Sequence, residues 1–173
     1  NSGSYTRFFA MIGVATVAMF FLMYLHSYDL LGHARFSETR MLMTLIMSAS
    51  MIVIMLLFML GMYQNKTINA AILVGALLLF GTSLALVRSQ VTVTSVDYME
   101  GMIPHHSIAI LTSERAKIED ARVRKLADDI IEAQRREIAE MEWLIADIRA
   151  NGAATNQAEA GARAVPSSLG PPE

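Results

Sequence analysis

Three stretches of this chain carry no charged residue and are long enough to cross a lipid bilayer: residues 8–25 (extended by its flank to 28), 41–63 and 70–87. A spanning helix needs about 20 mostly apolar residues, with roughly 17–25 as the working range. Lipid offers no hydrogen-bond partners, so such a run must satisfy its backbone internally, as a helix does. A helix packed on a soluble core would keep a polar face, and these have none. The first run lacks a basic leader and a small-residue cleavage site, and two more runs follow it, so a secretory signal does not describe it. The sequence thus predicts an all-α membrane protein, with transmembrane helices at about 8–28, 41–63 and 70–88 inside a region 1–90.

Charge divides the chain in the same place. Residues 1–90 hold five Lys/Arg and two acids, a balance of +3, whereas residues 91–173 hold nine basic and fourteen acidic residues, a balance of −5. The acidic second half argues against a nucleic-acid partner. Arg7 and Lys66 flank one membrane face, and Arg35, Arg40 and Arg88 the other. That one-charge bias leans towards a cytoplasmic C-terminus. Three crossings put the loop after the first helix and everything after the third on one side. All four histidines, His26, His33, His105 and His106, therefore lie at or beyond one face.

Residues 91–150 read as a helical hairpin. Val96, Met99, Met102, Ile103, His106 and Ile110 recur at spacings of three and four, forming one stripe. Pro104 interrupts it, so the helix either kinks there or begins anew. Glu119-Asp120-Ala121 marks a turn, and a second helix runs to about Ala150, where Asn151-Gly152 offers a stop. Its inward face reads Ala127, Ile130, Gln134, Ile138, Met141, Ile145 and Ile148. Two helices bury too little apolar surface to stand alone. The hairpin is therefore expected to be completed into a four-helix bundle, by pairing with a second copy or by docking on the membrane part. Residues 151–173 are rich in Ala, Gly, Ser and Pro without periodicity, which predicts a disordered or partner-binding tail.

The chemistry concentrates in Met99-Glu-Gly-Met102-Ile-Pro-His105-His106. On a helix Met99, Met102 and His106 share a face, His105 follows Met102 by about one turn, and an antiparallel partner brings Met141 to the same cluster. Thioether with imidazole is the ligand set of a soft monovalent ion, Cu(I) or its mimic Ag(I). Zinc would recruit Cys or carboxylate, and Mg or Ca only oxygens. The same spacing also reads as plain core filling, with the imidazoles capping nearby carbonyls. The chain has thirteen methionines and no cysteine. Disulfides, Cys-based zinc, iron–sulfur clusters and thiol catalysis are thereby excluded. There is no Glu-x-x-His for a di-iron site, no His-Glu-x-x-His, no phosphate loop, and no Ser or Asp to complete a triad with either His. The chain does not read as an enzyme.

Residues 92–150 resemble the domain-of-unknown-function family 305, whose hallmark is Met-Ile-Pro-His-His. A second block, Ile-Ile-x-x-Gln-x-x-Glu-Ile-x-x-Met, stands here as Ile130-Ile131-Glu-Ala-Gln134-Arg-Arg-Glu137-Ile138-Ala-Glu-Met141, and Asp97 and Ala109 also fit. The resemblance implies a ferritin-like helical hairpin or bundle in bacteria, usually outside the cytoplasm, tied to copper binding and tolerance. Carried over residue by residue, the ligands are Met99, Met102, His105, His106 and Met141. Where many members place a further Met six residues after the second His, this chain has Thr112. The implied location is a bacterial inner membrane with the C-terminal domain extracytoplasmic.

Two further features invite a metal reading. Met43, Met47, Met51, Met55 and Met59 fall at spacing four along the second span. Each step rises about 6 Å and drifts about 40° around the helix, giving a possible membrane ladder of soft ligands. Its Met-x-x-x-Met spacing is similar to that of three-span eukaryotic copper uptake channels, although Met is also ordinary apolar filler. Met23, His26 and His33 form a possible secondary site at the face shared with the main one. The leading expectation is a membrane-anchored copper-binding protein that captures Cu(I) for sequestration or hand-off. The alternatives are a copper channel using the ladder, and an accessory subunit of a larger membrane complex with a vestigial site. A copper ion, the lipid bilayer and a second copy or larger complex are the expected partners.

Overall fold

The computed structural model describes residues 2–26, 32 and 35–169. All regular structure among them is helical. The chain divides into two compact units, one of Asn1–Met23 with Glu38–Val93, the other of Tyr24–Ser37 with Thr94–Glu173.

The first unit holds three helices: α1 (Ser2–Leu22, continued by a 3-10 turn at Met23–His26), α2 (Glu38–Phe58) and α3 (Lys66–Ser89). Each is long and apolar enough to cross a membrane. The second ends earlier than its apolar run predicts. Met62 N–H donates to the Met59 carbonyl at 2.9 Å, turning the chain. The Asn65 side chain then caps α3 by accepting from Thr67 and Ile68 N–H, both at 3.1 Å. Residues 59–63 remain apolar although they form a connection, so hydropathy alone cannot place that boundary. At its far end α3 stops where Gln90 takes a left-handed conformation (φ 54°) and donates its N–H to Leu86 at 2.9 Å.

Packing in this unit relies on aromatic anchors and small polar residues. Tyr5, Phe8, Ile12, Leu56, Tyr63 and Ile72 form its buried cluster. The Tyr63 ring centroid lies 5.1 Å from Tyr5 and 5.3 Å from Phe8. Asn69 is buried beside them and hydrogen-bonded at both ends of its amide: its Oδ1 accepts from Tyr5 Oη at 2.8 Å, and its Nδ2 donates to the Tyr63 carbonyl at 2.6 Å. A buried amide left unpaired there would cost several kcal/mol. Across α1 and α2 the Thr16 and Ser48 hydroxyls lie 2.7 Å apart. Buried Thr44, Ser48, Ala49, Ala76 and Ser83 let the backbones approach closely. The outer surface is apolar instead: Val14, Val17, Phe21, Phe58, Leu77 and Leu78 are each more than half exposed. Such a large apolar surface is the one a bilayer covers.

The second unit is built on α4 (Ser95–Arg115) and α5 (Ala121–Asn151). Thr94 and Asp97 open α4 with a reciprocal capping box. The helix continues unbroken through Pro104, in place of the restart its sequence allows. The proline ring is buried, which offsets the hydrogen bond to Glu100 that it cannot make. The ion pairs Arg149–Glu100 (2.6 Å) and Arg135–Glu114 (2.7 Å) join the first turns of α4 to the end of α5 and the end of α4 to the middle of α5, so the helices are antiparallel. Between them Met99, Ile103, Ile110, Ile138 and Ile145 form the core, flanked by Val96, Ile131, Met141, Leu144 and Ile148. One expected inward residue is displaced: Ile130 is 36% exposed and Ile131 packs in its stead. The two adjacent isoleucines point about 100° apart, and the α4 surface selects the second.

Asp120 caps α5, accepting from Arg122 N–H at 2.8 Å and Val123 N–H at 3.4 Å. The Arg122 guanidinium beside it, aided by those N–H groups, lowers the Asp120 carboxyl from 3.8 to about 2. A depressed carboxyl stabilises the folded helix above its ordinary value, and this contribution disappears as pH falls from about 4 towards 2. Protection of the Arg122 and Val123 amides, measured against the intrinsic exchange rate at each pH, is therefore expected to fall in that window, and in an Asp120→Ala variant to be low at every pH.

Arg35 and Ser37, just ahead of α2, meet the hairpin. Ser37 is buried, and a Cβ added to Gly101 of α4 would meet its Oγ at 3.0 Å. A side chain at 101 would therefore push the Ser37 hydroxyl aside by a few tenths of an ångström. On α5, Glu142 faces Arg35 at 3.5 Å. Arg35 and Ser37 thus belong with the hairpin to the second unit. Beyond Gly152, within the segment read as a tail, lies the short helix α6 (Gln157–Ala162). Arg163 folds back to donate to Asp147 at 2.8 Å and to the Gly152 carbonyl at 3.1 Å.

Candidate metal centre

Two i,i+4 pairs face each other across the hairpin: Met102 and His106 on α4, Glu137 and Met141 on α5. Residues four apart stack on one helix face, and antiparallel packing brings the two faces together. They border an open groove of about 270 Å³ lined by Tyr98, Met99, Met102 and His106 from α4 and Glu137, Glu140, Met141 and Leu144 from α5. Met99 is 8% exposed and belongs to the core.

His106 is held at both ring nitrogens. Nδ1 lies 3.0 Å from the Met102 carbonyl, one turn back on its own helix. Nε2 lies 2.6 Å from Glu137 Oε2. The His106 side chain is 13% exposed and that of Glu137 47%, so the imidazole is fixed inside while the carboxylate reaches in from the rim.

The groove gathers four of the five residues carried over by resemblance: Met99, Met102, His106 and Met141. His105 is exposed and does not line it; its ring centroid lies 6.3 Å from that of His106. The next residue on a helix is turned by about 100°, which directs neighbouring histidines apart. Met23 belongs to the first unit, where its sulfur accepts from Thr44 Oγ1 at 3.4 Å. The His26 side chain and His33 lie outside the described residues. The membrane row divides: Met51, Met55 and Met59 pack against the Tyr5–Phe8 cluster, while Met43 and Met47 are exposed at 43% and 51%.

Sequence reasoning did not single out Tyr98, Glu137 and Glu140 as site residues. The signal was present for Glu137, four residues before Met141, but a search for soft donors passes over carboxylates. Among the described residues no group of three or more His, Cys, Asp or Glu is placed to hold a metal. The groove offers three thioethers and one imidazole, the donors that suit a soft monovalent cation, beside the Glu137 and Glu140 carboxylates and the Tyr98 phenol.

Comparison with known proteins converges on the same segment. Residues 88–168 match the family described as Domain of unknown function (DUF305). The chain is also similar to Uncharacterized protein L153 of Acanthamoeba polyphaga mimivirus, with 30% identity over 142 residues, covering 79% of this chain and 91% of the viral protein. That likeness is longer than the family segment and so reaches into the apolar N-terminal half. No solved structure matches the chain. With the hairpin, its Met-Ile-Pro-His-His segment and a relative matched over nearly its whole length, the chain belongs to the DUF305 family.

Proposed function

We propose that this protein is a membrane-anchored copper-binding protein whose hairpin groove captures Cu(I) for sequestration or hand-off. The observation that carries the reading is the convergence of Met99, Met102, Met141 and His106 on one open groove. Neutral thioethers bind a soft ion without forming disulfides, which suits an extracytoplasmic hairpin on a bacterial inner membrane. The open mouth admits a cation and lets it leave, as hand-off requires.

The hairpin is, on this reading, half of a four-helix bundle completed by a second copy. Val123, Leu126 and Ile130 support it: they recur at helical spacing on α5 and are 49%, 57% and 36% exposed. A channel along α2 is less well supported, because Met43 and Met47 are exposed on the outside of their unit while Met51, Met55 and Met59 pack inside. Calorimetric titration of the full chain in detergent with Ag(I) or Cu(I) tests the binding. Saturation at one ion per groove is expected, and no binding tighter than millimolar would overturn it.

A further inference from the structure

The hydrogen bonds of His106 assign a role to Glu137 that is not that of a ligand. A metal-binding histidine presents one ring nitrogen to the ion, while the other donates its N–H to a carbonyl or carboxylate that fixes the ring. In His106 the second task is already filled, since Nδ1 faces the Met102 carbonyl at 3.0 Å within the same helix. Nε2 is then the nitrogen left for an ion, and the Glu137 carboxylate stands against it at 2.6 Å.

We propose that Glu137 is a placeholder: it occupies the position of the cation on His106 Nε2, must withdraw as the Nε2 proton passes to solvent for the ion to bind, and so weakens capture. This rests on the groove being the copper site. Three observations support displacement over permanent coordination. The Glu137 side chain is 47% exposed, so its carboxylate can turn into water without crossing the core. Its hydrogen bonding among the described residues is to His106 alone, so nothing else holds it in the groove. Glu140 also lines the groove and keeps a negative charge beside it after Glu137 has left. A site meant for hand-off gains from such a competitor, because the returning carboxylate assists release.

Glu137 is thus a positioning residue, and its removal should strengthen binding. Breaking a partly exposed, charge-assisted hydrogen bond is expected to relieve about a tenfold handicap. The test is Ag(I) titration of the full chain in detergent for wild type, Glu137→Gln and Glu137→Ala. Nitrogen-15 NMR of the His106 ring before and after loading accompanies it. The expected result is about tenfold tighter binding in Glu137→Ala and a smaller gain in Glu137→Gln. In the metal-free variants the Nε2 resonance should shift while Nδ1 stays in place, and on loading Nε2 should respond to silver in all three proteins. Weaker or unchanged binding in Glu137→Ala, with wild type still binding silver through Nε2, would overturn the placeholder role and leave the copper reading standing. No silver binding by any of the three would overturn the copper reading itself, and the placeholder role with it.

Discussion

Replacing Ile103 by alanine is expected to destabilise the α4–α5 hairpin by about 3 kcal/mol, among the larger losses a single side chain can cause. Ile103 is 0% exposed and sits in the centre of the cluster with Met99, Ile110, Ile138 and Ile145. Truncation removes the transfer free energy of the lost methyl and methylene groups and leaves a cavity that two packed helices cannot fully close. Few other residues share the burden in so small a unit. The sole tryptophan, Trp143, lies on α5 and reports the transition by fluorescence during denaturant unfolding of the full chain. Ile130→Ala, at a residue 36% exposed, is the companion measurement and should cost less than about 1 kcal/mol. Equal losses at the two positions would mean that the hairpin packs in a register different from the one described.

The second large effect concerns ion binding. A Met102→Leu/His106→Ala/Met141→Leu variant is expected to lose Ag(I) affinity on the order of 100-fold or more, since it removes three converging donors where a single supporting contact is often worth 10–100-fold. Leucine keeps nearly the volume of methionine, so the apolar packing survives and the loss is one of lone pairs. His105→Ala is the informative control. His105 points away from the groove, and its removal should leave affinity within about twofold, far below the effect of any donor. A deficit in His105→Ala matching that of the triple variant would place the site on a different face of α4.

Much of this architecture could be read from residues, and the exceptions have identifiable causes. The three apolar helices were evident because charge-free runs of that length have few other ways to satisfy their backbone. Their ends were not, since Met59–Tyr63 stays apolar while turning and the Asn65 cap sets the start of α3. The stripe of α4 was legible at Val96, Met99, Ile103 and Ile110, which all pack in the core. Its continuity through Pro104 was not, because whether a proline is tolerated depends on what its ring packs against. The choice of Ile131 over Ile130 likewise depends on the opposing helix.

The candidate site divides along similar lines. Spacing along one helix brought Met99, Met102 and His106 together, and the antiparallel turn supplied Met141. The adjacent pair His105-His106 looked equivalent in sequence, yet helical rotation leaves His105 exposed and out of the groove. Glu137 was visible only as part of a motif. Its contact with Nε2 depends on the separation and register of α4 and α5, which no single-helix pattern encodes. The loop carrying Arg35 and Ser37 escaped notice as part of the hairpin unit for the same reason, although Gly101 marks its landing point.

A soft-cation groove formed by thioethers and one imidazole is the proposed centre of this protein's function. Its most direct test is an Ag(I) titration of the full chain in detergent, run with and without a large excess of Zn(II). The predicted result is a saturable site of one silver ion per groove that zinc does not displace, because zinc gains little from thioethers and no set of three or more His, Cys, Asp or Glu is placed to hold it among the described residues. Full displacement of silver by zinc, or no saturable silver site, would contradict it.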